Sequence, residues 1–309
     1  MKTFLLALLG LLTIAYIIIW SMIARRMRRA TQMEHPATDD PRPSLLMLGI
    51  GFLTNFLDTL GIGSFAVTTS IYKLFHLVPD ELTPGTLNVG HAIPTIAEAL
   101  IYIAIIGVDM RTLFLMIGAS VLGAWLGAGV VARMSRRMIQ IGMGFALLVA
   151  ALLMLLTQLK ALHLGGNTLD LGGVSLLIGV VGNFMLGALM TLGIGLYAPC
   201  MILVSLLGMN PTAAFPIMMG SCAFLMPVGG VRFIKLKGYS IRAAIGLAIG
   251  GVPGVLLAAY IVKSLPLGAV RWLVICVVIY AALMMLRSAR TERARKARAA
   301  AAPVMDSLQ

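Results

Sequence analysis

The sequence predicts an all-α polytopic membrane protein: an N-terminal anchor helix plus two inverted repeats, each a glycine-broken helical hairpin and three transmembrane helices. Three observations carry this. Of the 309 residues, 60% are hydrophobic and 11% charged, with mean hydropathy +1.00, against about 45–50% apolar and about 25% charged in soluble domains. Several apolar runs reach the roughly 20 residues that a helix needs to cross a bilayer core. From residue 45 onward, the chain also repeats itself.

The net charge of +13 comes from 24 basic and 11 acidic residues. The basic residues sit in short loops and one tail, not on a folded basic surface with interleaved aromatics. They read as a topology code and exclude nucleic acid as the expected partner. Cys200, Cys222 and Cys276 lie in apolar segments, and an odd number builds no disulfide framework. No spacing resembles a metal site, a nucleotide loop or a nucleophile elbow, so neither metal nor cofactor is expected. Without an ATP-binding segment, primary pumping would need another subunit.

Residues 1–24 form the anchor. The apolar run 3–23 is long for a signal peptide, lacks a small-x-small cleavage site, and is followed by the stronger positive cluster Arg25, Arg26, Arg28 and Arg29. The N-terminus is therefore expected outside and the arginines in the cytoplasm. Residues 25–44 read as a polar, proline-bearing cytoplasmic linker.

The first repeat is 45–158 and the second 172–287, joined by an external loop at 159–171. LGIG at 60–63 recurs at 192–195, a displacement of 132, and Thr59, Pro79 and Pro84 match Thr191, Pro211 and Pro216. Further on the displacement is 131: Gly107, Arg111 and Gly123 match Gly238, Arg242 and Gly254. So many matches in order, with one slip, mark an internal duplication. Each copy has a segment broken at its LGIG and then three apolar stretches, near 86–106, 112–132 and 138–158, and near 213–233, 243–262 and 269–287.

Charge orients them. Arg133, Arg136 and Arg137 form one basic loop, and Arg232, Lys235, Lys237 and Arg242 another. The tail 288–309 carries a third cluster and is expected as a basic helix along anionic lipid. With all three in the cytoplasm, each broken segment must enter and leave on one side. A hairpin plus three crossings is an odd count, so the copies are inverted, a known transporter arrangement.

Two hairpins from opposite faces bring their tips together near the midplane. Gly61, Gly63, Gly193 and Gly195 permit the turns. Each returning leg starts at its tip, and a helix N-terminus favours an anion. Thr59, Ser64 and Thr191 stand beside these turns, so the tips read as a central anion site. Close packing through small residues is the competing reading.

Only Asp58 and Glu98 among the acidic residues fall within apolar segments, where ionisable groups are costly and usually functional. Asn88, His91, Thr95, Glu98 and Tyr102 are spaced 3, 4, 3 and 4 apart, which places them within an arc of about 80° on one helix. Asn88 and His91 are candidate substrate-binding residues. Glu98, with His91, is expected to exchange a proton during transport; a structural hydrogen bond is the alternative. Asp58 reads either as a cap at the turn or as a second proton-coupling carboxyl. Pro94 is expected to interrupt this helix.

The motifs LGIGSFAV at 60–67 and LGIGLYAP at 192–199, each followed by a proline-bearing loop and a long helix, resemble the TauE/SafE sulfite exporter family of membrane permeases. The resemblance covers about 45–287 and leaves the anchor and linker outside. It implies two related halves and transport of a small sulfur-containing anion such as sulfite or an organosulfonate. The expectation is a secondary transporter, not an enzyme, in a bacterial inner (plasma) membrane. Its partners would be a small-molecule anion and membrane lipid, with the oligomeric state left open. The alternatives are a passive anion channel and, further off, an intramembrane enzyme using His91, Glu98 and a cysteine.

Overall fold

The computed structural model describes residues 2–34, 42–79, 82–131, 136–159, 166–190 and 195–264, and residues 269, 272–273, 275–276, 278–280 and 282–291. The middle of the linker, residues 160–165 of the loop and most of the basic tail lie outside these. Among the described residues the chain is helical, with one isolated bridge between Thr168 and Met209.

Helix α1 spans Lys2–Glu34. Leu5, Leu9, Tyr16 and Trp20 are buried on one face, while Phe4, Leu11, Ile14 and Ile18 are exposed. The buried face docks through Tyr16, whose hydroxyl donates to the Val89 carbonyl (3.2 Å), and through Trp20, whose indole N–H donates to the Tyr239 hydroxyl (3.1 Å).

The broken segment expected at 45–76 forms α2 (Leu45–Thr59) and α3 (Ser64–Leu74). Met47 near the start of α2 and Tyr72 near the end of α3 share a cluster with Val78, Leu87 and Ala243, so the chain doubles back. Next come α4 (Thr83–Gly90), α5 (Ala92–Ile105), α6 (Met110–Val131) and α7 (Arg136–Gln158). The break between α4 and α5 falls at His91, three residues before Pro94. A proline ring clashes with the carbonyl four residues earlier, which here belongs to Gly90, the last residue of α4.

The second broken segment forms α8 (Gly173–Met190) and α9 (Tyr197–Leu206). Gly179 faces Leu207 and Gly182 faces Leu203. Thr168, ahead of α8, pairs with the chain just after α9: the Asn210 N–H donates to the Thr168 carbonyl (2.8 Å). This segment also returns to where it started. A short 3-10 turn (Pro211–Ala213) leads into α10 (Ala214–Lys235), followed by α11 (Ile241–Ser264) and helical residues at 282–291. Among the described residues, five stretches are long and apolar enough to cross a membrane: Lys2–Arg25, Thr83–Ile105, Gly173–Met190, Pro211–Lys235 and Ile241–Ile261. At 1.5 Å per residue, α2 and α8 are about 22 and 27 Å long, and the returning α3 and α9 about 16 and 15 Å. The legs are therefore unequal, and the longer leg comes first in both hairpins.

The closest helix contacts run between the copies. Gly254 of α11 lies against the Phe52 carbonyl of α2, and Gly250 against the Leu48 carbonyl, so these helices run parallel. Gly123 of α6 lies against the Phe184 carbonyl of α8, and the Asn183 amide donates to the Met116 carbonyl (2.7 Å), so these too are parallel. The two contacts use matched positions: Gly123 corresponds to Gly254, and Phe52 to Phe184. The helix α4–α5 and its counterpart α10 run antiparallel. Gly230 lies by the Asn88 carbonyl at one end, and Tyr102 stacks on Phe215 at the other, ring centroids 5.2 Å apart.

A Cβ on Gly123 or Gly254 would strike partner backbone, whereas one on Gly118, also on α6, would meet nothing within 4 Å. Gly123→Ala and Gly254→Ala are each expected to destabilise by about 1–3 kcal/mol. Gly118→Ala should be neutral or gain up to about 1 kcal/mol from helix propensity. Thermal unfolding in detergent checks all three, and equal midpoints would remove the close-approach account.

Candidate functional site between the two hairpin tips

At the first tip the Gly61 N–H donates to the Asp58 carbonyl (2.7 Å) and the Ile62 N–H to the Leu57 carbonyl (3.1 Å), ending α2. Gly61 and Gly63 then take φ of 92° and 88°, a region that glycine enters at little cost. The turn aims α3 so that Ser64 is its first residue. The Ser64 backbone N–H donates to Asp58 Oδ1 (2.6 Å), so Asp58 caps the helix across the turn. The N–H groups of Phe65 and Ala66, in the same first turn, have no partner within the helix.

At the second tip, Thr191 and Gly193 lie outside the described residues. Gly195 does not take a positive φ. A Cβ there would meet no described atom within 4 Å, and the residue is exposed. Helix α9 starts at Tyr197 with no side-chain cap.

Between the tips lies a cavity of about 120 Å³, well above the roughly 10–15 Å³ that one water needs. Matched positions of the two copies line it: Asp58 with Met190, Gly63 with Gly195, Ser64 with Leu196, Phe65 with Tyr197, and Ala66 with Ala198. Thr95 of α5, Cys222 and Met226 of α10, and Tyr280 and Met284 near the C-terminus close the wall. No lysine, arginine or histidine is among the described lining residues. Thr95 is 1% exposed and its hydroxyl has no partner among the described residues. A buried hydroxyl without a partner is uncommon, and this one belongs to a cavity wall that also holds two helix N-termini. Such a wall suits an anion bound by neutral donors.

Glu98 stands one layer behind. Its Oε1 accepts from the Thr59 hydroxyl (2.8 Å) and its Oε2 from the Tyr197 hydroxyl (2.9 Å). Thr59 ends the first leg and Tyr197 starts the returning leg of the other hairpin, so one carboxyl on α5 ties both tips together. Tyr102 supports the arrangement by donating to the Thr59 carbonyl (3.3 Å).

His91 is fully buried and faces α2 and α3, not the cavity. Its Nδ1 lies 2.9 Å from Asn55 Oδ1 and its Nε2 3.1 Å from the Thr68 hydroxyl. The Asn55 amide NH₂ donates to the Gly51 carbonyl (2.8 Å), which leaves Oδ1 as an acceptor and assigns the Nδ1 proton to the ring. Asn88 lies further off: its amide donates to the Pro84 carbonyl (2.9 Å) and it neighbours Gly229. The polar stripe does not continue as one face because α4 and α5 are separate helices that meet at His91. Of the sequence candidates, Asp58, Gly63, Ser64 and Gly195 line the cavity. Thr59 and Glu98 brace it, Gly61 shapes its turn, and Asn88 and His91 stand apart. Tyr197 is the addition the structure makes. Its match to Phe65, with a hydroxyl gained in an apolar segment, is the signal that could have found it.

Removing the Glu98 carboxyl strands the buried Tyr197 hydroxyl, at a cost of about 1–3 kcal/mol, while the Thr59 hydroxyl can still donate to the Asn55 carbonyl. Glu98→Ala is therefore expected to destabilise by at least about 1 kcal/mol. Glu98→Gln, which keeps one acceptor, should cost less. Denaturant or thermal titration of the detergent-solubilised protein reads the difference, and an unaltered Glu98→Ala midpoint would contradict the bracing role.

The sequence matches the family described as sulfite exporter TauE/SafE over residues 1–154 and 174–306. The match takes in α1 and the linker, which the motif resemblance leaves outside. No curated protein and no solved structure matches the chain. Two glycine-broken hairpins meet at a cavity in an apolar helical protein, and the family match covers nearly all of its length. The chain is thus a member of the sulfite exporter TauE/SafE family, multi-pass membrane transporters of sulfite and related sulfur anions.

Proposed function

We propose that the protein is a secondary transporter for a small sulfur-containing anion, sulfite or an organosulfonate, working by alternating access of two inverted halves in a bacterial inner membrane. The observation that carries this reading is the cavity at the tips, with two helix N-termini and the unpartnered Thr95 hydroxyl on its wall. The inverted arrangement is supported by the exchanged glycine contacts and by the antiparallel run of α4–α5 against α10. One hairpin plus three helices per copy, with boundaries near 45–158 and 172–287, belongs to the same proposal. So does an outside N-terminus: α1 runs antiparallel to α4–α5, with Lys2 donating to the Ala104 carbonyl (2.7 Å) and Tyr16 near Val89.

Proton coupling at Glu98 is part of the reading. The Thr59 hydroxyl contacts both Glu98 Oε1 and the Asn55 carbonyl, at 2.8 Å each, and has one proton to give. With Glu98 ionised, Thr59 donates to it. With Glu98 protonated, Oε1–H donates to Thr59, which turns its own proton to Asn55. The carboxyl can thus gain and lose a proton while every contact stays in place.

Proteoliposomes should accumulate or release labelled sulfite or methanesulfonate down an imposed gradient. Folded protein that moves no member of a panel of sulfur oxyanions and sulfonates would overturn the assignment. Gly195→Val adds a side chain to the cavity wall where no described atom lies within 4 Å of the new Cβ, and it should reduce flux without unfolding the protein. An overpacking cost of about 1–3 kcal/mol on the bound state corresponds to a loss of about five- to hundredfold. Glu98→Gln should transport with a weakened response to a pH gradient, and a retained full response would place the coupling elsewhere.

A further inference from the structure

Asp58 sits where the transported anion would bind. Its Oδ1 takes the Ser64 N–H at the start of α3, at 2.6 Å. Its side chain lines the cavity and the residue is 3% exposed. The charge balance of the wall is narrow. Each helix N-terminus is equivalent to roughly half a positive charge, so α3 and α9 together offset about one negative charge. The described lining residues add no lysine, arginine or histidine. From the neighbouring elements Asp58 is faced by Glu98 of α5, Tyr197 of α9 and Cys222 of α10, none of which carries a positive charge. One anion fits this wall and two do not. The Thr95 hydroxyl, buried and without a partner, is a donor that Asp58 leaves unused.

We propose that the Asp58 carboxylate is a tethered competitor of the transported anion for the N-terminus of α3, so that an anion enters the site as Asp58 takes up a proton. This rests on the transport reading above and adds its regulation. Protonated Asp58 keeps an oxygen to accept from Ser64 N–H while its charge is gone. The helix N-termini and the Thr95 hydroxyl then serve the incoming anion.

The test is calorimetric binding of methanesulfonate, whose sulfonate stays ionised across the working pH range, to detergent-solubilised full-length protein. Wild type should bind more tightly as the pH falls. Asp58→Asn keeps an acceptor oxygen for Ser64 and loses the charge. It should bind at least about tenfold more tightly at neutral pH, the minimum effect of removing a like charge in contact, and show no pH dependence. Thr95→Val should weaken binding in both backgrounds. In weakly buffered wild type, adding methanesulfonate should draw protons from solution. This keeps the proposal testable if Asp58→Asn does not fold. Asp58→Asn binding that is unchanged or weaker, or wild-type binding without proton uptake, overturns the competitor role while leaving transport standing. If neither methanesulfonate nor sulfite binds to folded wild type at any pH, the transport reading and the competitor role fall together.

Discussion

A backbone N–H without a partner is intolerable in hydrocarbon, where each such group costs several kcal/mol. Two helices of this chain begin in the middle of an apolar protein, at Ser64 and Tyr197. Much of the remaining architecture can be traced to that. Each start needs surrounding protein or a polar occupant. A glycine turn aims the first start, α6 and α11 cover the first legs, and the space between the tips is where the open donors can be met by something that comes and goes. At the first start, Asp58 supplies an internal partner; the second has no side-chain cap.

The two copies share the order of their first helices, but their chemistry differs. Asp58 corresponds to Met190, Ser64 to Leu196, Thr95 to Pro227 and Glu98 to Gly230. The first copy carries the titratable and hydroxyl groups, and the second supplies mostly apolar wall, one helix start and the Tyr197 hydroxyl. Glu98 therefore reaches across the repeat boundary instead of pairing with a counterpart of its own kind.

Much of this was legible in the sequence because periodicity, glycine and charge act locally. The repeat displacement, the breaks at LGIG and the helix positions follow from residues that are neighbours in the chain. The cavity's first-tip residues Gly63 and Ser64 could be read for the same reason. Side-chain partners could not. Asn88, His91, Thr95 and Glu98 share a helical phase on paper, but the Pro94 ring ends α4 at Gly90 and separates Asn88 from the others. His91 is claimed by Asn55, a residue 36 positions away, and no local pattern announces that pairing. The roles of Tyr197 and Thr95 depend on contacts between copies, which the order of residues does not contain.

The exchanged packing of helices also dictates an order of birth. Helix α6 meets α8 soon after both are made. Helix α2 must wait for α11, because Phe52 and Gly254 are about 200 residues apart, and α1 waits similarly: Trp20 and its partner Tyr239 are separated by 219 positions. At roughly 5–20 residues per second of synthesis, the wait is about 10–40 s. During this time the first hairpin, the one that carries Asp58 and the two positive-φ glycines, stands in the bilayer without its cover. The half of the protein that is translated first is thus the half that matures last, and until then it depends on lipid, the insertion machinery or its own polar cap to keep its broken helix from lying open.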